Sequence, residues 1–232
     1  MLSLNKKLFS LIALAVVLFF SLNASAPQKR AIIIDPLNHD SEFKSSAIEI
    51  LNQSGYSIEY ISSNNVTIQL LSDLPENYDL YVFRVHSTCI NNRTWIFSGE
   101  KYQTNRYPFL QLSDLIHKAR PSYDSDYFFA VSPEFLQYYN QDSFKNGVVL
   151  MMGCAGLCSI DLAEAFCGEG ASIYVSWDDN VSLEHTDKTF LSLLGSYCLN
   201  KTTIIEAITY AFEQNGVDPI YGSNLDYYTR NH

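Results

Sequence analysis

The sequence predicts an α/β protein, a three-layer α-β-α sandwich built on a mostly parallel sheet. Three observations predict it. Apolar runs at Ala31–Ile34, Leu80–Val85 and Val148–Met152 end at turn residues, the pattern of strands buried on both faces of a parallel sheet. Stretches with helical spacing of apolar residues lie between these runs, so strands alternate with helices and right-handed crossovers follow. A chain of 232 residues with 47% hydrophobic and 17% charged residues has enough apolar material for one packed domain, taken as residues 27–232.

Ala31-Ile32-Ile33-Ile34-Asp35 opens the domain as the first strand. Phe43, Ala47, Ile48 and Leu51 recur at helical spacing, and Ser54-Gly55 closes that helix. Tyr56 to Ile61 alternates as a second strand, Val66 to Leu71 is a short amphipathic turn or helix, and the Leu80 run is the third strand. In the middle, Trp95-Ile96-Phe97 reads as a small strand and Ser98-Gly99-Glu100 as a turn. Leu112 to Arg120 reads as a helix that stops before Pro121. Tyr127 to Val131 is a strand, and Ser132 caps a short helix opened by Pro133. This aromatic-rich region is expected to fold over the carboxyl edge of the sheet. The Val148 strand runs into Gly153-Cys154-Ala155-Gly156, and Leu157, Ile160, Leu162, Ala163 and Phe166 mark a helix that ends near Gly168. Ala171 to Trp177 is the next strand. Leu183, Phe190, Leu191, Leu194 and Tyr197 mark a long helix, and Ile204 to Phe212 a final one ended by Asp218-Pro219.

Residues 1–26 read as an export segment. Lys6 and Lys7 precede the apolar stretch Leu8 to Leu22, and Ala24-Ser25-Ala26 carries the small residues of a signal cleavage site. An uncleaved N-terminal anchor is the alternative. Either one places the domain outside the cytosol, secreted or held at the outer face of the membrane, and the membrane is a partner only through that segment. A formal net charge of −10 without a basic patch argues against nucleic acid, whose phosphates need clustered Lys and Arg. Asn52, Asn65, Asn92, Asn180 and Asn200 head Asn-x-Ser/Thr sequons, which matter only in a host that glycosylates.

The five cysteines are Cys89, Cys154, Cys158, Cys167 and Cys198. An odd count in an exported chain leaves at least one thiol outside an intramolecular disulfide. Cys154 is the candidate for that thiol, and a Cys154–Cys158 bridge would silence it. Its place just past a strand, with His86 just past another, puts a thiol and an imidazole where open parallel sheets collect ligands and chemistry. A helix starting directly after Cys154, with Cys158 on it, is expected to lower the thiol's pKa, as would a neighbouring imidazolium, so that it labels below neutral pH. Gly153 and Gly156 would allow a tight turn and a close approach of a substrate backbone. The amides of Cys154 and Ser87 are the candidate oxyanion donors.

Val82-Phe83-Arg84-Val85-His86-Ser87, followed by Val149-Leu150-Met151-Met152-Gly153-Cys154, resembles the caspase-like cysteine peptidases, the group of caspases, legumains, gingipains, clostripain and separase. In that family a strand ends in His and a small residue, and a later apolar strand ends in a small residue and the nucleophilic Cys. The order matches, and the succession of elements is similar from Ala31 to about Phe212. The family usually carries Gly where this chain has Ser87. The resemblance implies a caspase-like sheet and a cysteine endopeptidase acting on a peptide or protein through His86 and Cys154; no cofactor is expected.

Within the resemblance, Ser176-Trp177-Asp178-Asp179 falls in the neighbourhood that shapes the pocket for the residue before the scissile bond. Trp177 and Asp178 are therefore substrate-binding candidates, and an aspartate there would favour cleavage after Lys or Arg. The alternative for Asp178-Asp179-Asn180 is a solvated turn that caps the next helix. A non-enzymatic surface module that binds a peptide or protein is the second functional expectation. A third is another α/β hydrolase pairing Cys154 with His185, oriented by Asp187, although Glu184-His185-Thr186-Asp187 also suits a helix N-terminus. His39-Asp40 and His185–Asp187 offer metal ligands, but no spacing matches a zinc pattern, and no Gly-rich phosphate loop follows a strand.

Overall fold

The computed structural model describes residues 28–37 and 42–230. The expected export segment, His39 and Asp40 lie outside the described residues. The chain forms a mixed α/β fold of two sheets flanked by helices. The elements are β1 (Arg30–Asp35), α1 (Glu42–Gln53), β2 (Ser57–Ser62), α2 (Ile68–Leu71), β3 (Leu80–Phe83), β4 (Ser87–Ile90), β5 (Arg93–Lys101), α3 (Pro108–Leu112), β6 (Ile116–Ala119), β7 (Phe128–Val131), α4 (Pro133–Tyr139), β8 (Val148–Met151), α5 (Asp161–Gly168), β9 (Ile173–Trp177), α6 (Leu183–Leu194), α7 (Ile204–Asn215) and β10 (Leu225–Tyr228).

The main sheet runs β10-β9-β8-β3-β1-β2, parallel throughout except for β10. Its central strands are apolar on both sides because both faces are covered. Ile33, Val82, Leu150 and Val175 pack with α1, α6 and α7 through Phe43, Leu51, Phe190 and Ala207. Ile32, Ile34, Phe83 and Met151 face the opposite way, onto Leu136, Phe166 and the inner face of the second sheet at Ile96, Ile116 and Phe129. Each large side chain buried in these layers contributes about 1.5–3 kcal/mol, so the two faces hold the sheet far more firmly than strand propensity does.

The second sheet is antiparallel, in the order β4-β5-β7-β6, and departs from the sequence expectations. Ser98-Gly99-Glu100 is not a turn but part of the nine-residue β5, with a register shift between Phe97 and Lys101. Gly99 marks a bulge: a Cβ there would stand 2.0 Å from the Ser63 carbonyl oxygen, and the Gly99 amide bonds the Val66 carbonyl. Leu112 to Arg120 is not a helix. The helical turn stops at Leu112, Asp114 takes a left-handed φ of 60°, and Ile116–Ala119 pairs with β7, the pairing and the burial of Ile116 outweighing helix propensity. Elsewhere Ser132 caps α4 as expected, its hydroxyl accepting from the Phe135 amide at 3.2 Å. The β10 edge strand had no counterpart in the sequence reading.

One polar cluster lies inside this apolar frame. Arg84, fully buried just past β3, bonds Asp35 at the end of β1 through Nη1 (3.1 Å) and Asp187 on α6 through Nε and Nη2 (2.8 and 2.9 Å). Tyr60 donates its hydroxyl to Asp35 at 2.6 Å. A buried charge is tolerable only when paired and hydrogen-bonded, and every guanidinium nitrogen of Arg84 is. Arg84→Met should leave two carboxylates uncompensated and cost about 3–5 kcal/mol, read as a lowered urea midpoint at unchanged m-value.

Candidate functional site

Strand register brings His86 and Cys154 together. β3 and β8 are adjacent and parallel, with Phe83 opposite Met151, and the Met152 amide continues the ladder onto the Phe83 carbonyl at 2.8 Å. His86 and Cys154 each lie three residues past the last registered pair, and both line the same two cavities. Side chains alternate along a strand. Arg84 and Met152 lie on the face covered by α1 and α6, so His86 and Cys154, two residues on, return to that face.

Three contacts hold these strand ends. Ser87 donates its hydroxyl to the Cys154 carbonyl at 2.6 Å. A Cβ on Gly153 would meet that Ser87 oxygen at 2.2 Å and the Val85 carbonyl oxygen at 2.9 Å. Gly153 therefore serves the approach of Ser87, and Gly156 likewise clears Ser176 and Tyr174. A Cys89–Cys158 disulfide, spanning 69 residues, ties the strand after His86 to the turn after Cys154. Closing a ring of that length removes about 4 kcal/mol of unfolded-chain entropy. Cys154, Cys167 and Cys198 remain as thiols.

The turn differs from expectation in a way that matters for the sulfur. Helix α5 begins at Asp161, so residues 154–160, Cys158 included, form an irregular turn and the helix that follows Cys154 in sequence does not start at it. Asp161 is instead bound to the amide and hydroxyl of Thr94 on β5. Ala155 holds the tight turn with a left-handed φ of 53°, a conformation costing a non-glycine residue about 1–2 kcal/mol, and its amide bonds the Asp179 carbonyl. The half-buried thiol lies against Val181, donating to its carbonyl (3.6 Å) and accepting its amide (3.5 Å). Burial raises the Cys154 pKa above its ordinary value; the Val181 bond opposes this, and the charges of Asp179 and Asp218 add to the rise. Burial in the crowded cleft wall, then the Arg84 charge, lower that of His86. Both shifts favour the uncharged forms of the two groups.

Two cavities flank the pair and share His86, Pro121, Cys154 and Tyr221. One, of about 420 Å³, runs along β4 past Ser87, Thr88 and Phe97 to residues 118–120. The other, of about 210 Å³, is lined by Leu37, Val85, Met152, Val181, Leu183 and Thr186 among others. The Cys154 amide has no hydrogen-bond acceptor on another residue among the described residues. The His86 carbonyl accepts from Phe97 on β5, so alternation turns the Ser87 amide to the open edge of β4. Ser87 sits in extended backbone, which a serine adopts without strain.

The other predicted residues lie elsewhere. Trp177 is fully buried, its indole donating to Thr186 at 2.9 Å and packing on Phe190, so it builds core rather than cleft. Asp178 uses both carboxylate oxygens on Asn224, one on the backbone amide and one on the side chain, and lines neither cavity. His185 is buried against Trp177 on α6, and Asp187 is committed to Arg84, so the alternative histidine pair does not form. Among the described residues no three His, Cys, Asp or Glu side chains gather as metal ligands, and no helix is long and apolar enough to cross a membrane. The sequence reading missed Val181, which holds the sulfur, and Asp218, which holds Val181's neighbour: Asp218 accepts from the amide and hydroxyl of Ser182 and from the amides of Ile220 and Tyr221. An aspartate opening Asp218-Pro219 is an Asx-turn signal, but not one that points to a partner 36 residues away. No protein-family model matches the chain, and no curated protein matches it.

Two outcomes follow. Iodoacetamide should label Cys154 slowly at pH 6 and faster as pH rises past 9, scored by mass of the peptide containing it. Asp218, its pKa lowered to about 2 by these hydrogen bonds from an ordinary 3.8, contributes stability that is full above about pH 4 and lost as pH falls through about 2. Asp218→Asn should therefore flatten the acid limb of a stability–pH curve.

Proposed function

We propose that this chain is an exported cysteine endopeptidase with a caspase-like three-layer fold, in which Cys154 is the nucleophile and His86 the general base and acid. The observation that supports it best is the pairing of adjacent parallel strands whose carboxyl ends carry a thiol and an imidazole on one face, opening into shared cavities. In the first step the Cys154 sulfur bonds to the scissile carbonyl carbon while His86 takes the thiol proton. The oxyanion lies against the amides of Cys154 and Ser87. Collapse breaks the C–N bond, and His86 passes its proton to the departing amine. Water, deprotonated by His86, then hydrolyses the thioester, releasing the acid and returning the proton to sulfur.

Asp178, with both oxygens bound to Asn224, offers no support to a preference for basic residues. A second reading, a peptide-binding module without turnover, draws on the thiol's bonds to Val181 and its raised pKa. Kinetics on a casein digest separate the two. Cys154→Ala and His86→Ala should each lower kcat/KM by roughly a thousandfold or more with folding intact by circular dichroism. For the native chain, the acid limb of kcat/KM should lie below pH 6.5, because His86 must be neutral and its pKa is depressed. Equal rates for native protein and Cys154→Ala would end the peptidase reading and leave the binding module.

A further inference from the structure

We propose that the smaller cavity beside Cys154 receives the side chain preceding the scissile bond, and that it selects an uncharged apolar residue of the size of leucine, methionine or phenylalanine. The inference rests on the peptidase reading and specifies its substrate. Its starting point is the contrast between the two cavities. The larger one follows β4 and is bordered by Ser87, Thr88 and Asn180, a polar course suited to a peptide main chain. The smaller one is walled by Leu37, Val85, Pro121, Met152, Val181 and Leu183.

Two polar groups on its wall, Thr186 and Arg84, are already occupied. The Thr186 hydroxyl donates to the Met152 carbonyl and accepts from Trp177, both at 2.9 Å. The Arg84 guanidinium is saturated by Asp35 and Asp187. An entering ammonium or guanidinium would find no carboxylate on the cavity wall and would lose its water without compensation. An entering carboxylate would meet no free cation and would approach the side where Asp179 and Asp218 already bear on the sulfur. An apolar chain loses nothing on entry, and a volume of about 210 Å³ accommodates an aliphatic or single-ring side chain. One methylene in an apolar pocket is worth about 10–200-fold in kcat/KM, enough for sharp selection.

The position of Leu183 supplies a test. It lies at the rim, 36% exposed, at the first residue of α6. A carboxylate there is tolerated by the helix N-terminus and would add the missing charge to the wall. Acetyl-capped tetrapeptide aminomethylcoumarin amides, differing only in the residue before the coumarin, are assayed on native protein, Cys154→Ala and Leu183→Asp. The native chain should turn over the Leu, Met or Phe member at least tenfold better in kcat/KM than the Lys, Arg, Asp and Glu members. Leu183→Asp should shift the Lys-to-Leu ratio toward Lys by tenfold or more. Preference of the native chain for a charged residue, or an unmoved ratio in Leu183→Asp, overturns the assignment while leaving the peptidase standing. Absence of any turnover above Cys154→Ala, together with no Cys154 adduct from the matching Leu and Lys peptidyl acyloxymethyl ketones, removes the peptidase and this pocket together.

Discussion

The parallel pairing of β3 with β8 carries the rest of the molecule. Neither strand offers a functional group along its length; each becomes chemically significant only where it ends. Because the pairing is set by Leu80 opposite Val148 through Phe83 opposite Met151, the residues two to three positions beyond are brought to the lining of one cavity. A slip of one residue would turn either His86 or Cys154 to the other side of the sheet. The apolar packing on both faces fixes that register, and the buried Arg84 secures the same strand to β1 and to α6 just before the histidine. The cluster that anchors the scaffold thus also sets the electrostatic surroundings of the imidazole.

Around the strand ends, local chemistry is subordinate to close packing. Gly153 admits Ser87, Ala155 accepts a left-handed backbone, and Val181 grips the sulfur through its main chain. Each of these groups determines where the thiol stands. The thiol's protonation follows from the same packing. Burial is the largest influence on both groups, raising the pKa of the thiol and lowering that of the imidazole. The thiol and the imidazole thus share desolvation as the main influence on their titration.

What was legible in the sequence follows from what a one-dimensional pattern encodes. Ile32 to Ile34, Leu80 to Phe83 and Val148 to Met151 are apolar at every position, and only strands covered on both faces need that; the main sheet was readable for this reason. The two glycines and the free cysteine were readable because turn residues and thiols are rare and local. The second sheet was not, since Gly99 resembles a turn until the Ser63 backbone it accommodates is seen, and Ile116 to Ala119 becomes a strand only through its pairing with β7. Trp177 and Asp178 were misplaced because alternation along β9 sends one inward, while the other faces an asparagine on the approach to β10. The contribution of Val181 was invisible for a plainer reason: its backbone, not its side chain, does the holding.

The Cys89–Cys158 bridge has a topological consequence. The ring it closes contains all of β5, β6, β7 and β8, together with the exposed stretch from Pro121 to Asp124. Scission of any single peptide bond between Cys89 and Cys154 opens it without dividing the molecule, and the fragment bearing His86 stays covalently attached to the one bearing Cys154 by way of two sulfurs. Nicked material would therefore migrate as one species until a reductant parts it into two.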